Sequence, residues 1–380
     1  MARNAELAEL AESIFADSYD PDASGLDAAA WKACREAGLT TLTDPDLGGT
    51  ISDAAVLLET AGAWAARLPL AETDLLAGWL ARAAGVELPD GPSTAVLGPV
   101  PGAAGDSAGD SAETPVTLPR VPWGRALASV VVLDGDRVAV LAGPAGAAVA
   151  PGAVTVEEGT NLAEEPRDTL TVSADAVVAE GTVSSGGTAV LSGGTALSGG
   201  TAASGSTAAR NSTAAGVAEE LVLRAALARS LLLAGAARGA LARSVGYAGE
   251  RQQFGRTIGR FQAVQQLLAE AGGEVAAAAS ASATAARTAE QLGFADPATA
   301  FAVAAAKARC GETATAVARI AHQVHGAIGF TREHDLRLLT TRLWAWRDED
   351  GNESYWTERV GATALDAGAD GLWPLVTGRP

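Results

Sequence analysis

The sequence predicts an α+β fold, mostly α, in three parts. An N-terminal helical domain spans residues 1–90, a small middle β-domain spans 91–180, and a four-helix bundle lies within 217–380, after a low-complexity linker over 181–216. Three observations carry this. Of the 380 residues 48% are hydrophobic but only 4% aromatic, so the apolar content is largely Ala, Val and Leu, and Ala has the highest helix propensity. The clearest β signal is confined to the middle, where two β-branched runs flank an Asp-Gly turn. From Val217 onward, long helical segments are joined by short turns, the pattern of a helical bundle.

The N-terminal part reads as successive helices. Ala5 to Glu12 has helical composition, and Asp27 through Ala37 forms a second segment with Gly38 as its stop. Asp44-Pro45-Asp46-Leu47-Gly48-Gly49 is a turn cluster. Ser52 or Asp53 is expected to cap a helix through Ala66, which Leu68-Pro69-Leu70 breaks. Thr73 to Ala84 gives a further helix, ended by Gly85.

In the middle part, Gly102 to Glu113 is a Gly/Ala/Ser/Asp-rich loop. Val130 to Leu133 and Arg137 to Leu141 form a hairpin around Asp134-Gly135-Asp136, and Val149–Glu157 and Thr169–Val178 are further strands. In the linker Gly193-Gly194-Thr195-Ala196 recurs as Gly199-Gly200-Thr201-Ala202, a unit too short for a packed repeat. The bundle then takes shape as Val217–Gly249, a helix from Thr257 or Gly259 to Leu292, and a third opened by the cap Asp296-Pro297 and reaching His325. Arg332–Arg347 and Glu353–Leu365 follow.

The balance of 27 basic and 45 acidic residues gives a formal charge of -18, which repels phosphate backbones and disfavours nucleic acid as a partner. Cys34 and Cys310 form neither a disulfide framework nor a zinc spacing, so no metal is expected. The most apolar run, Leu231–Ala242, is too short to span a bilayer, and residues 1–10 lack a signal-peptide core. A reducing, cytoplasmic setting is the expectation.

The chemistry-bearing pattern lies between Arg251 and Asn352. It comprises Arg251-Gln252-Gln253-Phe254-Gly255 with Phe261-Gln262, then Gln323-Val324-His325-Gly326-Ala327-Ile328-Gly329-Phe330-Thr331, and the acidic turn Asp348-Glu349-Asp350-Gly351-Asn352. An Arg fork suits a pyrophosphate, and a glycine lets the backbone approach a cofactor. These motifs resemble the two C-terminal motifs of acyl-CoA dehydrogenases. The three-part layout and Trp31, Gly38-Leu39, Gly48-Gly49 and Leu68-Pro69-Leu70 are similar to that family as well.

The resemblance implies an FAD-dependent α,β-desaturation of an acyl-CoA thioester, with an electron-transfer flavoprotein as acceptor. By that resemblance Arg251, Gln253 and Phe254 contact the FAD of a neighbouring subunit, Gln323 and Gly326 lie along its adenine and pyrophosphate, and Asn352 joins the cofactor set. By the same resemblance the catalytic base is Asp350. It stands before Gly351, twenty residues after Phe330, where many members carry Glu. The family's Thr-Glu-Pro-Gly-like stretch and Trp-x-x-x-Gly stretch have no counterpart in residues 91–180, where Val121-Pro122-Trp123 is the nearest aromatic loop. Such a chain looks like half a site and is similar to subunits of heteromeric acyl-CoA dehydrogenases. Three readings stay open: a desaturase in a homo- or hetero-oligomer, a non-catalytic subunit completing the FAD site of a related chain, and a flavin monooxygenase-like relative.

Overall fold

A computed structural model describes residues 2–102, 115–146, 150–183 and 207–377. Helices α1 (Ala2–Asp17), α2 (Ala28–Glu36), α3 (Ile51–Ala63) and α4 (Trp79–Ala84) form the N-terminal layer. Asp27 accepts from Ala30 N at 2.9 Å and starts α2. The cap of α3 is Thr50 rather than Ser52 or Asp53: Thr50 and Asp53 form a reciprocal capping box, so Asp53 sits inside the first turn. Before α4 the chain makes a π-helical turn, Glu72–Gly78, within the stretch expected to be regular helix.

Strands β1 (Ser93–Leu97), β2 (Val116–Pro122), β3 (Ser129–Asp134), β4 (Arg137–Ala142), β5 (Val154–Glu157), β6 (Arg167–Val172) and β7 (Val177–Thr182) make two sheets, ordered β1-β3-β4-β7 and β2-β6-β5. The expected hairpin is β3–β4, with Asp134 opposite Arg137. The segment expected as one strand over Thr169–Val178 is two, because a 3-10 turn at Ala174–Ala176 carries the chain from one sheet to the other. β1 and β2 were not anticipated. Both are short, and Pro119 and Pro122 interrupt the alternation of β2. The unbroken apolar runs of β3 and β4 follow from burial on both faces. Val131, Leu133, Val138 and Val140 enter the helical core, while Val130, Val132, Ala139 and Leu141 fill the space between the sheets.

Helices α5 (Thr207–Glu250), α6 (Gln262–Leu292), α7 (Pro297–His325) and α8 (Leu336–Asp348) form the bundle, and α9 (Glu353–Thr377), kinked at Gly368, packs on α7. Strand β7 and helix α5 claim both ends of the stretch expected as linker. Its centre, 184–206, and the expected loop over 103–113 lie outside the described residues. Helix α8 opens four residues later than expected, since residues 331–335 form turns after the 3-10 helix Gly326–Phe330.

Helix α3 packs tightly on α5. A Cβ on Gly62 would stand 2.3 Å from the Leu232 carbonyl oxygen, and one on Gly235 2.0 Å from that of Glu59. This contact seats the N-terminal layer on the bundle, so that α5 forms the shared wall of both helical cores through Leu223, Leu227, Leu231 and Leu233. Among the described residues no helix is long and apolar enough to cross a membrane, and no group of His, Cys, Asp and Glu is placed to hold a metal ion.

Candidate active site

A cavity of about 440 Å³ opens where the three parts meet. Leu76 from the π-helical turn, Val96 and Leu97 of β1, and Leu221, Ala225 and Leu232 of α5 give it apolar walls. Its polar groups include Glu72, Thr94, Arg229 and Asp350. Thr94 is fully buried and its hydroxyl has no partner among the described residues.

Asp350 sits in a sharp turn between α8 and α9, with φ of 55° followed by 90° at Gly351. A Cβ at Gly351 would fall 2.4 Å from Trp356 Nε1, so this position admits only glycine without rearrangement. Two buried donors hold the turn. Trp356 Nε1 donates to the Asp350 carbonyl at 2.8 Å. Lys307 Nζ, on a residue with no solvent exposure, donates to the carbonyls of Gly351 at 2.7 Å and Arg347 at 3.0 Å. Burial pushes the Lys307 ammonium down to about 8, against the pull of nearby Asp350. Asn352 Oδ1 accepts from Tyr355 N at 3.0 Å, which makes Asn352 the cap of α9.

The Asp350 carboxylate is not isolated. Arg229 Nε donates to its Oδ2 at 2.8 Å, while Arg229 Nη2 lies 3.3 Å from Glu349 and 3.7 Å from Glu72. Arg167 grips Glu349 with two bonds, of 2.9 and 2.7 Å, and meets Glu165 at 3.3 Å. Glu165 is closed by Trp346 Nε1 at 2.7 Å and by Arg342 at 3.0 Å. Three buried arginines thus alternate with four carboxylates from the π-helical turn, the loop before β6 and the end of α8, with Lys307 close by as the fourth cation. Burial alone would raise the Glu349 carboxyl. The charges of Arg229 and Arg167, with hydrogen bonds from Arg167 and Asn161, outweigh it and hold the group at about 2. Burial raises the Glu72 carboxyl, and Arg229 and Arg167 offset only part of that rise. Apart from Asp350, sequence reading missed this network, whose members are scattered from residue 72 to residue 350. The one available signal was Glu349 beside Asp350.

The motif residues gather at the far end of the bundle. The hairpin of β8 (Gln252–Gln253) and β9 (Arg256–Thr257) turns at Phe254, whose φ is 53° and whose side chain is 91% exposed. Tyr247 stacks on His325 with ring centroids 4.5 Å apart, and this contact ties the hairpin end of α5 to the end of α7. Arg251, Gln253, Phe254, Gln323 and Gly326 are therefore on one exposed end, and the Arg251 guanidinium has no ion-pair partner among the described residues. Asp350 and Asn352 are elsewhere, at the end of α8, whose 13 residues rise by about 20 Å. An unpaired guanidinium, a projecting aromatic ring and two carboxamides are a donor set that fits a pyrophosphate and an adenine. The cavity, apolar on most sides and polar at Glu72, Arg229 and Asp350, has the chemistry to take an acyl thioester.

Comparison with known proteins agrees with this architecture. The acyl-CoA dehydrogenase C-terminal domain family matches residues 215–364. The acyl-CoA dehydrogenase FadE34 of Mycobacterium tuberculosis is 39% identical over 135 residues, which is 34% of this chain and 18% of that protein. The matched segments span 18% to 32% of the three curated relatives, well under two thirds of their length. The ChsE4-ChsE5 complex from Mycobacterium tuberculosis contains a chain of similar structure, with a TM-score of 0.68 at 20% identity, covering 96% of this chain and 97% of that one. PigA, solved with FAD and proline, gives a TM-score of 0.71 at 15% identity over 97% of this chain and 99% of that one. The C-terminal domain of this chain belongs to the acyl-CoA dehydrogenase family, and the chain as a whole has the fold of that family.

Proposed function

We propose that this chain takes part in the FAD-dependent α,β-desaturation of an acyl-CoA, with the thioester bound in the cavity between the π-helical turn, β1, α5 and the Asp350 turn. The observation that carries this reading is the cavity itself: apolar on most sides, with its carboxylates drawn to one wall around a single buried arginine. Bound flavin supplies the two-electron oxidation, and an electron-transfer flavoprotein is the proposed acceptor. The chain's own residues do the remainder. Leu76, Val96, Leu221 and Leu232 exclude water from the acyl group. A wall carboxylate takes the α-proton, and Asp350 is the acid that the resemblance puts there. Its oxygen atoms are set in place by the Lys307 and Trp356 bonds to the adjoining carbonyls.

A second reading is favoured by the exposed far end. Among the described residues nothing covers Arg251, Phe254 and Gln323, so they suit a cofactor held by a related neighbour in a homo- or hetero-oligomer, as in a non-catalytic subunit. The ChsE4-ChsE5 assembly shows that chains of this fold do form complexes of two kinds of chain. Visible absorption of the chain purified alone, scaled to protein, separates the two readings. A flavin peak near one per chain, bleached anaerobically by an acyl-CoA, supports the desaturase. A colourless chain that turns yellow only on co-expression with a related chain supports the subunit role. In either assembly Arg251→Ala is expected to lower flavin content at least about tenfold, the scale of one charge-assisted phosphate contact. Unchanged flavin content rules out Arg251 as a cofactor contact.

A further inference from the structure

Two carboxylates from distant chain segments face the cavity around Arg229, and their surroundings differ. Asp350 Oδ2 accepts a charge-assisted hydrogen bond from Arg229 Nε at 2.8 Å. Glu72 is only 4% exposed, lies 3.7 Å from Arg229 Nη2, and receives no side-chain hydrogen bond among the described residues. It is presented by the π-helical turn, a local departure from α-helix that often marks functional sites. We propose that Glu72 is the proton acceptor of this cavity, and that Asp350 acts through Arg229 as a positioning residue.

The argument is one of availability. A base needs a free lone pair aimed at the substrate and a proton affinity above that of an ordinary carboxylate. The Asp350 lone pair on Oδ2 is committed to a guanidinium that Glu349 also holds at 3.3 Å. Glu72, in a desolvated wall, has only its own backbone N–H as a hydrogen-bond donor and stands 3.7 Å from Arg229, so it keeps lone pairs free toward the cavity. The groups that act on it are Arg229, Arg167 and its own backbone N–H, which favour its charged form, and Asp350, which opposes it. Burial is the largest influence and raises its carboxyl, the direction that suits proton abstraction at neutral pH. Two carboxylates whose environments differ across one arginine divide the labour: one anchors the cation, the other exchanges the proton.

This assignment rests on the desaturation reading. In that step the α C–H bond breaks, with its proton moving to a Glu72 oxygen. The β C–H bond breaks, with its electron pair leaving as hydride to the bound flavin, and the Cα–Cβ double bond forms. Flavin is the oxidant, and its reduced form passes its electrons to the acceptor.

The test compares Glu72→Gln, Glu72→Asp and Asp350→Asn in the flavin-loaded protein, with or without a partner chain as the assembly requires. Flavin content and circular dichroism report that each variant is folded. Glu72→Gln is expected to slow anaerobic flavin reduction by ~10³-fold and to remove the rising limb of its pH profile, while Glu72→Asp keeps that limb at a lower rate. Asp350→Asn is expected to cost no more than about 30-fold and to keep the limb, displaced because Arg229 is freed toward Glu72. Infrared pH-difference spectra give a readout independent of turnover. Three buried carboxylic C=O bands should titrate above the ordinary range, from Glu59, Glu72 and Asp74, and Glu72→Gln should delete one. A Glu72→Gln rate within tenfold of the parent, or a larger loss in Asp350→Asn than in Glu72→Gln, overturns the assignment. A loaded parent protein whose flavin no acyl-CoA reduces overturns the desaturation reading first, and this assignment with it.

Discussion

Arg229→Met is expected to destabilise the fold by about 3–5 kcal/mol at pH 7, the scale seen when one member of a buried ion network is removed and its partners stay charged. Arg229 is 6% exposed and faces Asp350, Glu349 and Glu72, so methionine fills the volume but leaves three carboxylates with less compensation. The loss has a pH signature. Glu349 is held at about 2, below its ordinary 4.5, partly by Arg229. A carboxylate depressed on folding contributes stability that is present above 4.5 and is lost as pH falls toward 2. The gap between parent and variant should therefore be full at pH 7 and narrow steadily below pH 4.5. Urea unfolding followed by tryptophan fluorescence at pH 7 and pH 3 reads both limits. A variant within about 1 kcal/mol of the parent at pH 7 would show that the network is electrostatically self-sufficient without Arg229.

Lys307→Met tests a different balance. Removing the ammonium strips the Gly351 and Arg347 carbonyls of a donor, worth about 1–3 kcal/mol each. It also removes the burden of a buried charge whose ordinary value of 10.5 has fallen to about 8, equivalent to about 3 kcal/mol at neutral pH. These terms nearly cancel, so the expected change in stability at pH 7 is under about 2 kcal/mol. The pH dependence does not cancel. Between pH 8 and 10.5 the unfolded chain keeps this proton and the folded chain sheds it, so the parent gains stability as pH rises through that window. The parent should outgain the variant by about 3 kcal/mol from pH 8 to pH 10.5. Hydrogen exchange at Gly351 and Asn352 should accelerate in the variant at every pH, since the turn has lost one of its two buried donors. Parallel stability curves across that window would mean that the Lys307 ammonium is hydrated in solution.

What was legible in the sequence follows from how local each signal is. Asp296-Pro297 announced the start of α7 because a cap and an N1 proline act within one turn, and the Asp-Gly turn announced β3–β4 for the same reason. Thr50 was overlooked as a cap because Ser52 and Asp53 compete for the role, and the choice depends on where the preceding backbone enters. The π-helical turn has no composition of its own. It arises where Leu70–Leu76 must face the core and Glu72 the cavity at once. Among the candidate site residues, the structure gathers Arg251, Gln253, Phe254, Gln323 and Gly326 on one end through Tyr247 and His325, a contact that no spacing rule announces. Arg229, Arg167 and Glu72 were invisible, since a lone charge in an apolar helix, or at the edge of a strand as Arg167 is, reads as a solvated group until the fold buries it.

The tight seat of α3 on α5 has a consequence for which changes in length this protein tolerates. Arg229 and Arg251 are placed by one uninterrupted helix clamped at Gly235 and Gly239, so their separation of about 33 Å and their relative heading are set by residue count alone. Inserting a single residue between the clamp and Arg251 turns everything beyond it by about 100° and lifts it by about 1.5 Å, which would swing the hairpin off its face of the bundle and break the Tyr247–His325 stack. A seven-residue insertion returns nearly to the original heading but displaces that end by about 10 Å. Helix α5 therefore resembles a keyed shaft: its far end can be altered by substitution, while insertions and deletions along it are excluded unless α7 changes in step.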